Sequence, residues 1–255
     1  MATNRTDGSL FTSIVNKIAT IEFGHPASNS FPSVLLDRLT KELEKVSKND
    51  AVSIIILKSE GEKAFCAGAS FDELIAIDTL EDGKKFFSGF ANVINAMRTC
   101  SKLIIGSVQG KTVGGGVGLA AACDYVLATE SASIKLSELT IGIGPFVIEP
   151  AVTRKIGVAG FAELTLAATE WKNAYWAKEK GLFATVFETQ KELREETQNL
   201  AEKLASYNPD ALAELKKTLW KGTGNWNDLL IERAEVSGKL VLSEFTKKAL
   251  LKFKK

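Results

Sequence analysis

Two short stretches combine small residues with the spacing that chemistry requires. The first, Lys111 to Asp124, reads KTVGGGVGLAAACD and sets three consecutive glycines between an apolar strand and an apolar helix. The second, Lys63 to Leu74, reads KAFCAGASFDEL: a strand, a small-residue loop around Gly68, then a helix. A junction without bulky side chains lets the backbone approach a ligand closely and leaves N–H groups free at a helix start. Two such junctions converging on one oxygen form an oxyanion hole. With Glu138 nearby as a carboxylate, the set suits enolate chemistry. Two N–H donors hold the developing oxyanion while a base moves a proton beside the carbonyl.

Two nucleotide readings of the glycine-rich stretch fit less well. Gly106 to Thr112, GSVQGKT, follows a strand as a phosphate-binding loop would, but only three residues separate its glycines where that motif needs four. Gly116 to Ala121, GVGLAA, satisfies G-x-G-x-x-A, and Glu138 lies twenty residues beyond Gly118. A ribose-binding acid should end a second strand, however, and Glu138 begins the turn-like segment SELTIGIGP.

Composition removes other classes. The single histidine, His25, precedes Pro26 in a polar turn; a multi-histidine zinc site is excluded, and no metal site is expected. The three cysteines, Cys66, Cys100 and Cys123, lack CxxC spacing and sit in apolar surroundings. They read as buried packing in a reducing, cytoplasmic setting. With 32 basic against 31 acidic residues, the net charge of +1 gives no general pull towards nucleic acid or an anionic membrane. No apolar run reaches the roughly 18 residues that span a bilayer. The start, MATNRTDGSL, has the pattern of neither a secretory signal nor a transit peptide.

The elements that must carry these stretches follow from hydrophobic periodicity. Phe11 to Phe23 alternates as a strand or hairpin. Ser33 is expected to cap a helix bearing Leu35, Leu36, Leu39 and Leu43. Ala51–Leu57 and Leu103–Val108 are continuous apolar runs, as in strands buried on both faces. Helices are expected at Phe71–Ile77, Leu80–Met97 and Val117–Cys123, and short strands at Tyr125–Ala128 and Ser133–Leu136. From Pro150 onward the pattern is helical apart from a strand at Phe183–Val186, with one long stretch from Asn227 to the end. The organisation is an α/β core over residues 1–190 with the ligand site, and a helical C-terminal region over 191–255. The basic tail KKALLKFKK reads as a solvated helix face.

AFCAGASFDEL, GKTVGGGVGLAAACD and WKNAYWAKEKGLF occur in the order and spacing of the three signature regions of the crotonase superfamily, the enoyl-CoA hydratases and isomerases. The resemblance covers nearly the whole chain. It implies a spiral of ββα units, a helical C-terminal trimerisation region giving a homotrimer or dimer of trimers, and an acyl-CoA thioester as substrate. Coenzyme A enters as part of that substrate, and no separate cofactor is implied. The resemblance assigns the N–H groups of Ala69 and Gly115 to the oxyanion hole and Glu138 to the catalytic glutamate. Ala67 and Gly68 fall along the adenine and pantetheine, with Gly114 and Gly118 beside them.

The chain departs from the family pattern in two places. Gly118 stands where well-studied hydratases carry a second glutamate. The loop GPFVIEP, Gly144 to Pro150, replaces a glycine-rich loop; it resembles that of branched-chain hydratases of the methylglutaconyl-CoA type and that of enoyl-CoA isomerases. Its Glu149 is a candidate to return a second carboxylate to the pocket, the alternative being a solvent-facing or salt-bridged side chain. Pro145 and Phe146 in the same loop, with Phe71 and the helix Leu80–Met97, shape the acyl site. The loop favours hydration of a 2-enoyl-CoA, branched substrates included. The carboxylate count favours Δ3-Δ2 isomerisation with Glu138 as sole base. A non-catalytic acyl-CoA-binding or nucleotide-binding protein is the reading from another class.

Overall fold

The computed structural model describes residues 7–253. The first six residues of MATNRTDGSL and the last two lysines of KKALLKFKK lie outside the described residues. The chain opens with an antiparallel hairpin, β1 (Ser9–Val15) and β2 (Ile18–Gly24), followed by α1 (Ser33–Ser47). Three turns of a repeating unit follow, each a strand in a large sheet, a strand in a small sheet, and then helix. The first is β3 (Ile54–Ser59), β4 (Ala64–Cys66), α2 (Phe71–Ile75) and α3 (Leu80–Thr99). The second is β5 (Leu103–Val108), β6 (Lys111–Val113) and α4 (Gly115–Ala122). The third is β7 (Tyr125–Thr129), β8 (Ser133–Lys135) and α5 (Glu149–Leu166), which Gly157 breaks with φ 71°. Then come β9 (Lys172–Asn173), α6 (Ala174–Glu179), β10 (Thr185–Phe187) and four helices: α7 (Gln190–Ala205), α8 (Pro209–Leu219), α9 (Trp226–Val241) and α10 (Glu244–Phe253). This is the expected ββα spiral.

The large sheet has the order β1-β2-β3-β5-β7-β10 and is parallel from β2 onward. Its centre explains the unbroken apolar runs. Along β3, Ile55 and Leu57 enter the main core with α1, α3 and α4, while Ile54 and Ile56 enter a second core with Leu193, Ala201 and Leu212 of α7 and α8. Side chains of a strand alternate between faces, so a sheet covered on both needs apolar residues at every position. The small sheet has the order β4-β6-β8-β9, and its first three strands run parallel.

The helical C-terminal region is bound to this framework by buried polar chemistry as well. Lys216 of α8 reaches Asp124, between α4 and β7, at 2.7 Å, both side chains being 3% exposed. The same carboxylate accepts the Trp220 indole N–H and the Ile104 backbone N–H, each at 2.7 Å. Its charge is therefore paired and hydrogen-bonded, the condition on which burial is tolerated. α9 crosses α3 so closely that a methyl group on Gly83 would lie 2.8 Å from Gly238 Cα.

Several boundaries differ from expectation. Ser33 does not cap α1: Pro32 holds that position, and the Glu73 carboxylate takes the Ser33 N–H at 3.0 Å and its hydroxyl at 2.5 Å. β3 starts at Ile54 rather than Ala51, because pairing with β2 starts there. α4 starts at Gly115, two residues before the expected Val117, so the glycine run is itself the helix start. The long C-terminal stretch is two helices, separated at Leu242–Ser243. All three cysteines are buried and free, and burial pushes the Cys66 and Cys123 thiols up to about 12. No helix among the described residues is long and apolar enough to cross a membrane.

Candidate active site

β4, β6 and β8 lie side by side and run the same way, so their C-terminal ends share one edge. Neighbouring strands are about 4.8 Å apart. The chain leaving β4 is Ala67-Gly68-Ala69, that leaving β6 is Gly114-Gly115, and that leaving β8 reaches Glu138 after two residues. Glu138 opens a single 3-10 turn, Glu138–Ile141. A sheet of three-residue strands thus gathers three sequence-distant segments by backbone pairing alone.

The segments touch. A methyl group built on Gly68, whose φ is +90°, would lie 3.1 Å from the Val113 carbonyl oxygen and 3.6 Å from the Gly115 nitrogen. One built on Gly114 would lie 2.9 Å from Glu138 Oε1. Gly114 also adopts φ 54° and ψ −122°, which a side chain would strain. Phe31 bonds on either side of Ala69, giving its N–H to Gly68 O at 2.8 Å and accepting from Ser70 N–H at 2.9 Å. No acceptor among the described residues takes the N–H of Ala69 or of Gly115. Both residues line a cavity of about 490 Å³, a volume typical of small-molecule sites.

The cavity is mostly apolar. Leu74, Phe87, Phe90, Ile143 and Val147 contribute to its wall, as do the expected Ala67, Gly68, Phe71, Gly114, Pro145 and Phe146. Among the described residues lining it, Glu138 is the one carboxylate and Lys135 the one cation. Glu138 Oε2 is shut off from solvent and has no hydrogen-bond partner. Burial pushes its carboxyl up to about 7, against the opposing pull of its own backbone N–H. A carboxylate prefers water to apolar surroundings, so this environment favours the protonated form. Near neutral pH the group exists in both states, the condition under which one residue both takes and returns a proton.

Two expected residues lie off the cavity. Gly118 is buried within α4, and a methyl group on it would clash with Ile148 Cγ2. Ile148, not position 118, supplies the cavity wall there. Glu149 does not bring a second carboxylate into the cavity. It opens α5, and its Oε1 accepts the Thr153 hydroxyl at 2.8 Å. The helix that begins at this point carries Ile148 inward and Glu149 past the wall.

Sequence reasoning missed Ile148, Lys135, Thr169 and Ser237 as cavity residues. Ser237 comes from α9 across the Gly83–Gly238 contact, a close return of the C-terminal region that no local sequence signal marks. His25 stays in its turn, where Nδ1 accepts the Ala27 N–H at 3.2 Å. No three His, Cys, Asp or Glu side chains gather as a metal site among the described residues.

Residues 13–252 match the family model described as enoyl-CoA hydratase/isomerase. The chain is 32% identical over 215 residues to a probable enoyl-CoA hydratase of Rhizobium meliloti (strain 1021), covering 83% of this chain and 80% of that one. It is 28% identical over 229 residues to the peroxisomal Delta(3,5)-Delta(2,4)-dienoyl-CoA isomerase of Arabidopsis thaliana, covering 84% and 78%. The crystal structure of an enoyl-CoA hydratase from Bacillus halodurans superposes with a TM-score of 0.89 over 95% of this chain and 99% of that one. At 22% identity, that likeness concerns the fold.

Proposed function

The chain belongs to the enoyl-CoA hydratase/isomerase family, and from that premise we propose that it moves the double bond of an enoyl-CoA from C3 to C2. One observation carries this reading: Glu138 is the single carboxylate among the described residues lining the cavity. The thioester oxygen accepts the N–H groups of Ala69 and Gly115. Ionised Glu138 takes a proton from C2, and the C2–H electron pair enters the thioester as an enolate. The same carboxyl then gives its proton to C4. The C4–H bond forms as the double bond settles between C2 and C3, so no net proton or electron is exchanged. Each well-placed oxyanion donor is worth about 3–4 kcal/mol in the transition state.

Adding water across the double bond calls on one group to activate water and another to protonate the α-carbon. Gly118 has no side chain and lies under Ile148, and Glu149 is engaged with Thr153. Hydration of a 2-enoyl-CoA is the second reading, favoured by the name of the Rhizobium relative. The two separate by product. With a 3-enoyl-CoA, the wild type should yield the 2-enoyl isomer and Glu138→Gln should be slower by orders of magnitude. Formation of 3-hydroxyacyl-CoA from a 2-enoyl-CoA, with no isomer formed from the 3-enoyl-CoA, would refute the proposal.

A further inference from the structure

The separation of the two N–H donors depends on how β4 sits against β6, and those strands do little to fix it themselves. Each has three residues. They pair at only two points, Ala64 with Lys111 and Cys66 with Thr112, so Phe65 is extra on the β4 side. Such a bulge disrupts the ladder locally, and short pairings specify register weakly. A slip of one residue would move Ala69 about 3.3 Å along its strand.

Two buried side-chain amides supply what the ladder lacks. Asn29, 7% exposed, donates from Nδ2 to Glu60 O and to Ala64 O, both at 2.8 Å. Gln109, also 7% exposed, sets Nε2 within 3.1 Å of Ala64 O, 3.1 Å of Gly61 O and 2.8 Å of Ser59 Oγ. Both meet at the carbonyl of Ala64, the first residue of the bulge. Gln109 stands two residues before β6, so its bond to Ala64 joins the root of one donor strand to the root of the other. At the far end, the turn containing Asn29 holds the donor loop directly. Ser28 O accepts the Ala67 N–H at 3.1 Å, and Phe31 brackets Ala69. Asn29 itself adopts φ 57°, a left-handed conformation that asparagine tolerates better than most residues.

We infer that Asn29 and Gln109 are positioning residues for the oxyanion hole: their amides, converging on Ala64 O, fix the register of β4 against β6 and so the distance between the Ala69 and Gly115 donors. The inference rests on the reading of those two N–H groups as the thioester site. A misplacement near 1 Å costs a factor of about 100 in rate.

The test uses Asn29→Gly, which keeps the left-handed backbone unstrained and deletes the amide, including the Oδ1 that accepts the His25 N–H at 3.0 Å, and Gln109→Met, which keeps length without a donor. Two readouts are taken: kcat with a 3-enoyl-CoA, and the thioester C=O stretch of bound butyryl-CoA. The second is measured on folded protein below its melting temperature, so lost stability alone does not move it. Both variants should lower kcat by about 100-fold, leave the dissociation constant of butyryl-CoA within about threefold, and return the stretch towards its value in water. Ser30→Ala, in the same turn but bonded to His25 rather than to β4, should change neither readout. Asn29→Gly and Gln109→Met with wild-type kcat and stretch would overturn the inference alone, as would a Ser30→Ala effect of equal size. A wild-type protein that leaves the butyryl-CoA stretch unshifted would overturn the oxyanion-hole reading, and the inference with it.

Discussion

Glu138→Gln should make the protein more stable at alkaline pH while removing its activity. The carboxyl is raised from 4.5 to about 7 because burial disfavours its charge. Below pH 4.5 it is protonated in both folded and unfolded chains and contributes no difference. Between 4.5 and 7 the folded state binds more protons than the unfolded state, so stability falls as pH rises. Above 7 the full cost of burying the anion is present. A shift of about 2.5 units at 1.36 kcal/mol each is on the order of 3 kcal/mol. For a chain of this size that is roughly 6–12 °C in melting temperature. Glutamine keeps the shape and carries no charge, so it escapes the cost. Thermal melts of both proteins from pH 5 to 8.5 should show a small gap at pH 5 that widens through pH 7 and then levels. A variant melting with or below the wild type at pH 8 would refute the desolvated carboxylate. In the wild type, kcat/KM should rise with pH along a single limb centred near 7, since proton abstraction needs the ionised form.

Three further perturbations address the surroundings. Glu149→Gln should leave turnover within about twofold in a steady-state assay, because its carboxylate faces Thr153 rather than the cavity. Gly118→Ala forces a methyl group into Ile148 and should cost about 1–3 kcal/mol by denaturant titration. Adding Ile148→Ala should recover part of that loss, and strict additivity in the cycle would contradict the contact. Lys216→Met leaves Asp124 charged and buried without its ion pair. It should destabilise by about 3–5 kcal/mol, and a melt unchanged from wild type would count against that pair.

The parts of the fold legible in the sequence are those whose cause is local. Ala51 to Leu57 and Leu103 to Val108 read as buried strands because a sheet covered on both faces needs apolar residues at every step, although the first begins only at Ile54. The two glycine-bearing junctions read as backbone donors because a close approach excludes side chains. Glu138 was legible as a partner of those junctions only once three sequence-distant stretches were taken together, since β8 brings it beside Gly114 through pairing that leaves no local trace. The placing of Glu149 was left open for the same reason. Its distance from the cavity is set by where α5 begins and by Ile148 settling over Gly118, a packing contact between segments thirty residues apart. Ser237 was invisible because the return of α9 across α3 depends on Gly83 and Gly238 meeting in three dimensions. Ser33 read as a helix cap by type, but the Glu73 carboxylate from α2 captured its polar groups.

The central claim is that one carboxyl group carries the proton from C2 to C4. Label transfer tests it most directly. A 3-enoyl-CoA deuterated at C2 is converted in ordinary water at initial rates, and the 2-enoyl-CoA product is examined by mass spectrometry and NMR. A sole base enclosed in an apolar cavity should deliver a measurable share of the C2 deuterium to C4. Complete loss of that label to water, or 3-hydroxyacyl-CoA as the product, would contradict the account.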